Sequence, residues 1–170
     1  MINKPKYINF AFIAILFIQS CTSDYNKELS GGYVYADESA EDHIIRSSRP
    51  GNKSILGTVV AYDFNDDYIL ALQKPDYNNH KNGIAAYLRL NDQVNYPGKT
   101  TEDIQKVLIA ADSIAKTDTY YQKIFAHKIN YWIIAHKQKQ VVYGPLTEAE
   151  YLQKRKELNV PGKLKLEPSE

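Results

Sequence analysis

Apolar positions recur with a period of two in several short stretches and with helical spacing in others, which predicts a mixed fold. Tyr33–Ala36 and His43–Arg46 read as short strands flanking an acidic loop at Asp37, Glu38, Glu41 and Asp42. Ile55–Tyr62 and Tyr68–Gln73 are rich in β-branched and aromatic residues and bracket a polar bend, so they read as a hairpin closed by Pro75. The turn signals Asn82-Gly83 and Tyr96-Pro97-Gly98 leave Ile84–Leu90 as a further short strand. From Thr101 the pattern changes. Ile104, Val107, Leu108, Ala111 and Ile114 share one helical face behind an acidic first turn. Asp118 caps a second helical piece over Thr119–Ala126. Tyr131–His136 is the strongest strand pattern, and Val141–Tyr143 returns beside it.

The most tightly specified element is the last helix, Glu148 to Leu158. Thr147 and Glu150 form a capping box, and Leu146 and Tyr151 occupy the staple positions. Asn159 suits a left-handed C-terminal stop and Pro161 prevents resumption. The pattern predicts an α+β fold: a small, mostly antiparallel sheet of four to six strands packed by two or three helices.

The N-terminal segment has a different character. Lys4 and Lys6 precede nine consecutive apolar residues, Phe10–Ile18, well short of the ~20 that a membrane-spanning helix needs. That length and charge order fit a secretory signal. Ile18-Gln19-Ser20-Cys21 resembles the lipobox of bacterial lipoproteins. The resemblance implies that Cys21 carries a thioether-linked diacylglycerol and, after cleavage, a further acyl chain on its amine. Two or more chains anchor stably where one is marginal. Thr22 follows in place of Asp, which by the sorting rules of diderm bacteria implies the outer membrane. The expected organisation is a cleaved signal at 1–20, an acylated cysteine and polar tether at 21–32, and one domain at 33–170.

Composition narrows the functional classes. The chain of 170 residues has 24% charged and 44% hydrophobic residues, which is globular composition. Residues 21–170 carry 19 basic and 20 acidic side chains, a net charge of −1 that gives no electrostatic reason for nucleic-acid binding. One cysteine excludes an internal disulfide and a four-thiolate zinc site.

Candidate chemistry is sparse. Asp63, Asn65 and Asp67 match the start of a calcium loop, but Tyr68 and Lys74 stand where glycine and a bidentate Glu are needed. His43, His80, His127 and His136 lack metal-ligand spacing. Nucleophile elbows and phosphate-binding glycine loops are absent. Lys154-Arg155-Lys156 is a basic patch on a helix, read chiefly as a solvated face. Tyr131, Trp132, Tyr143 and Tyr151 form the candidate binding surface, against a core role for the same rings.

Asn130–Leu166, with YWII, YGPLTEAEY and KRKEL, resembles the C-terminal signature of an uncharacterised family of small Bacteroides-type lipoproteins. More distantly, Trp132, Gly144, Pro145 and Glu150 resemble the pattern of GYF-like modules, which bind proline-rich peptides on an aromatic surface. The reading that follows is a non-enzymatic envelope lipoprotein acting as a binding or accessory module, with a protein or peptide partner and no cofactor. The alternatives are a GYF-like peptide binder and a hydrolase with a carboxylate pair that spacing does not reveal.

Overall fold

A computed structural model describes residues 25–39, 42–49, 51–136 and 139–167. Cys21, the apolar N-terminal segment, Glu41 and the Lys137-Gln138 bend lie outside the described residues. The chain forms β1 (Tyr25–Glu28), β2 (Tyr33–Ser39), β3 (Asp42–Ser47), β4 (Thr58–Phe64) and β5 (Tyr68–Lys74). Helices α1 (Tyr77–Asn91), α2 (Thr101–Thr117) and α3 (Thr119–Phe125) follow, then β6 (Asn130–Ala135), β7 (Val141–Leu146) and α4 (Glu148–Glu157). The strands make two antiparallel sheets, β1-β2-β3 (sheet A) and β4-β5-β6-β7 (sheet B). The class is α+β, with the strands divided between two sheets and one helix more than expected. Among the described residues no helix is long and apolar enough to cross a membrane.

Sheet B is covered on both faces. On one side Ile69, Ala71, Trp132 and Ile134 pack with Tyr33 and Ile45 of sheet A in one apolar cluster. On the other, Tyr68, Leu70 and Ile133 pack with Tyr151 of α4 and Leu164 of the tail. The alternation of Ile69/Leu70 and Trp132/Ile133 assigns neighbouring residues to opposite faces. A third cluster joins Ile84 and Ala85 of α1 to Val107, Ala111 and Ala115 of α2. Of the helical stripe expected on α2, Val107 and Ala111 are buried, whereas Ile104 is at the margin and 41% exposed.

Two expectations are corrected. Ile84–Leu90 lies within α1, a 15-residue helix, and is not a strand. Asp76 caps it by accepting a hydrogen bond from the Asn79 amide at 2.7 Å, directly after Pro75. Part of the segment expected as a polar tether is a strand. Tyr25–Glu28 pairs with Val34–Asp37 as strand β1, and Leu29 beyond it is buried.

The α4 region follows its sequence signals. Thr147 and Glu150 form the reciprocal capping box, and Leu146 packs in the same cluster as Tyr151. Asn159 has φ 52°. The Val160 amide donates to Arg155 O and the Asn159 amide to Lys156 O, which closes the helix as a Schellman motif.

Candidate functional site

Of the four aromatics of the candidate surface, Tyr131, Tyr143 and Tyr151 share one apolar cluster and Trp132 stands apart from them. Trp132 is 1% exposed and faces sheet A. Its indole N–H donates to Gln73 Oε1 at 3.0 Å. The same oxygen accepts from Asn130 Nδ2 at 3.2 Å, and Gln73 Nε2 donates to Leu56 O. This buried network satisfies the indole in a dry interior, where an unpaired N–H would be costly. Gly144, at φ 144°, lies against the Trp132 ring, and a Cβ there would stand 2.3 Å from Cε3. Of the residues shared with GYF-like modules, Trp132 and Gly144 therefore make a packing contact here, while Glu150 serves the capping box of α4.

Tyr131 and Tyr151 belong to the opposite face, with ring centroids 4.9 Å apart. Burial raises the pKa of both hydroxyls; Glu148 adds to the effect at Tyr131, whereas Arg155 works against it at Tyr151. Tyr143 borders a shallow cleft of about 570 Å³ at the C-terminal end of α4, with Lys154 Nζ 5.3 Å from its ring.

The basic patch is largely committed to structure. Arg155 donates to Tyr151 Oη, Pro161 O and Leu164 O, tying the tail to the helix. Lys154 pairs with Glu157. The Asp63–Asp67 bend is committed likewise. Asn65 Oδ1 accepts from the Asp67 and Tyr68 amides, and Asp63 Oδ2 from the Lys165 amide. Among the described residues no group of three or more His, Cys, Asp or Glu side chains could hold a metal ion.

The more capable site lies elsewhere, where the two sheets diverge. Ile45 and Ile55 exchange backbone hydrogen bonds of 3.0 and 2.8 Å, so β3 briefly pairs with the segment leading into β4. Gly57, at φ 86°, then turns the chain away. A side chain at this position would meet His80 Cε1 at 2.8 Å, so only glycine permits the turn against that ring. Beyond it a cleft of about 600 Å³ opens between the inner face of sheet A and β4, within the size range of ligand sites.

Tyr25, Tyr35, Asp37 and His43 form the roof, Thr58–Tyr62 the floor, and Glu167 the rim. These roof residues share a face because the register pairs Tyr25 with Asp37 and Asp37 with His43. Tyr35 stacks on Tyr62 at 4.5 Å, closing the inner end. Asp37 Oδ1 lies 3.3 Å from His43 Nε2. Lys27 Nζ stands 5.3 Å from the Tyr62 ring and 5.4 Å from Phe64, so these faces already accommodate a cation. Burial, with the nearby Asp37 charge adding to it, raises the Tyr35 pKa and keeps its hydroxyl a hydrogen-bond donor.

Chemically the cleft offers carboxylate acceptors, phenol donors, aromatic faces and a strand edge. Its described lining contains no serine or cysteine. Of these residues, sequence reading marked Asp37 as part of an acidic loop and His43 as a strand residue without metal-ligand spacing. The strand pattern of 33–36 and 43–46 was visible, but nothing local showed that this hairpin lies over β4.

A DUF3997 domain, described as a protein of unknown function, is found at residues 104–170. The match takes in most of α2 and everything from α3 through the tail, while the cleft strands β1–β4 lie outside it. No curated protein and no solved structure matches the chain.

Proposed function

We propose that this chain is a non-enzymatic lipoprotein of the bacterial envelope, acylated at Cys21 and held at the outer membrane. In this reading its domain binds a partner in the cleft between the sheets. The observation that carries the binding role is the cleft itself. It combines aromatic faces with a carboxylate–imidazole pair, and Tyr35 is kept in its protonated, non-nucleophilic form. The apolar run Phe10–Ile18, followed by Gln19-Ser20-Cys21, supports the anchor.

Two measurements test this. Mass spectrometry of the mature protein is expected to find an acylated N-terminal cysteine, and Cys21→Ala should release the protein from the membrane fraction. A photo-crosslinking residue at Tyr25 should capture a partner that the same residue at Leu152, exposed on α4, does not. Adducts at both positions or at neither would remove the cleft from the account.

A hydrolytic reading has one observation in its favour: Asp37, His43 and Glu167 share the cleft. It requires catalytic turnover that Asp37→Asn abolishes without abolishing binding.

A further inference from the structure

Sheets A and B together have four outer strands, and these differ in how they are protected. β1 carries Lys27 and Glu28 in a four-residue strand, and charge on a short edge discourages further pairing. β3 is bridged to Ile55. β7 contains Pro145 and adjoins α4. β4 has neither proline nor lysine, and from Thr58 to Tyr62 it carries no charge. Among the described residues, no other segment makes a backbone hydrogen bond to Val59–Tyr62 from the side away from β5. The register irregularity between Val59 and Ala61 falls in the middle of this stretch, and bulges concentrate at sheet edges and beside binding sites.

This edge is also the floor of the cleft. A strand added to β4 would lie beneath Tyr25, Asp37 and His43 of the overhanging sheet, its far side still roofed. Its side chains would meet Asp37 and Glu167 as the charged acceptors, and tyrosine faces of the kind that already hold Lys27.

Resting on the cleft-binding reading above, we propose that the cleft recognises an extended peptide segment bearing lysine or arginine, which adds to sheet B as a fifth strand on β4. Main-chain hydrogen bonds to the edge supply affinity, and alternate side chains, directed at the roof, supply selectivity.

The test uses the full acylated chain in detergent, with a random octapeptide library displayed on phage as the probe. Enrichment of sequences alternating β-branched residues with Lys or Arg is expected. The best such peptide, made synthetically, should perturb the Val59–Tyr62 amides in NMR spectra. Methylating its alternate backbone nitrogens should weaken binding by about tenfold or more, because ladder bonds are lost. Asp37→Asn should weaken it several-fold at low salt and hardly at all in 1 M salt.

Proline-rich enrichment, or no enrichment, overturns the proposal. A peptide that shifts Tyr35 and His43 but is indifferent to backbone methylation overturns strand addition while leaving the cleft as a binding site. Peptides that bind without perturbing any cleft residue overturn both.

Discussion

On one face of sheet B, Leu70 and Ile133 are covered by a single helix that follows directly from the sheet's last strand. On the other face, Ile69, Trp132 and Ile134 are covered chiefly by a second sheet made from residues far earlier in the chain, together with Ile124 of α3. The helix, with the tail that Arg155 draws in, covers the middle of its face and leaves a shallow cleft beside Tyr143 at its C-terminal end. The sheet leaves a different opening. It stacks over the middle of its neighbour and overhangs β4, and the overhang is the cleft. The comparison suggests that the locally specified face serves stability, while the face assembled from distant segments is where a site arises.

Breaking the sheet-covered face should have the largest effect. Gly144→Ala forces a methyl into the Trp132 ring and puts a side chain at φ 144°. A loss of about 4 kcal/mol in urea unfolding, or failure to fold, is expected. Gln73→Leu comes next. It leaves the Trp132 indole, the Asn130 amide and the Leu56 carbonyl short of a buried partner, at a cost of about 2–3 kcal/mol. On the helix-covered face, Thr147→Ala removes a cap whose loss costs about 1 kcal/mol, and cleft binding should be unchanged.

A graded effect is expected from His80, which sits where α1 meets Gly57 and is almost fully buried. Burial, outweighing the opposing influence of Asp76, holds its pKa below the usual ~6.5. The unfolded chain therefore takes up the proton first, so stability is intact above about pH 6.5 and falls as pH drops below it. Melting temperatures from pH 7.5 to 5 should show that slope, and His80→Phe should flatten it. His136, also lowered chiefly by burial, contributes in the same sense and accounts for the remaining slope. Asp37→Asn should change stability least, within about 0.5 kcal/mol, because its pair with His43 is partly solvated. Its measurable effect belongs to ligand binding.

The same contrast explains what could be read from the sequence. The α4 module was legible because every signal is local: a cap and its partner three residues apart, a staple, and an Asn-x-Pro stop. The hairpin of β4 and β5 and the period-two run of β6 were legible for the same reason. α1 was not, because Asn82-Gly83 reads as a turn, and packing against Val107 and Ala111 of α2 offsets its poor helix propensity. Pro75 followed by Asp76 was the available signal. Trp132 read chiefly as a core residue with a surface role open, and its burial rests on Gln73, 59 positions away, which holds its N–H. The cleft depends on Asp37 and His43 lying over Val60, a juxtaposition that no window of sequence contains.

The early start of β1 has a mechanical consequence. Cys21 and Tyr25, the first paired residue among those described, are four positions apart, so at full stretch their Cα atoms are separated by at most about 14 Å. With the thiol at 21 acylated as proposed, the domain would hang from the lipid by its roof sheet, and Tyr25, which lines the cleft, would lie within that distance of the anchoring residue.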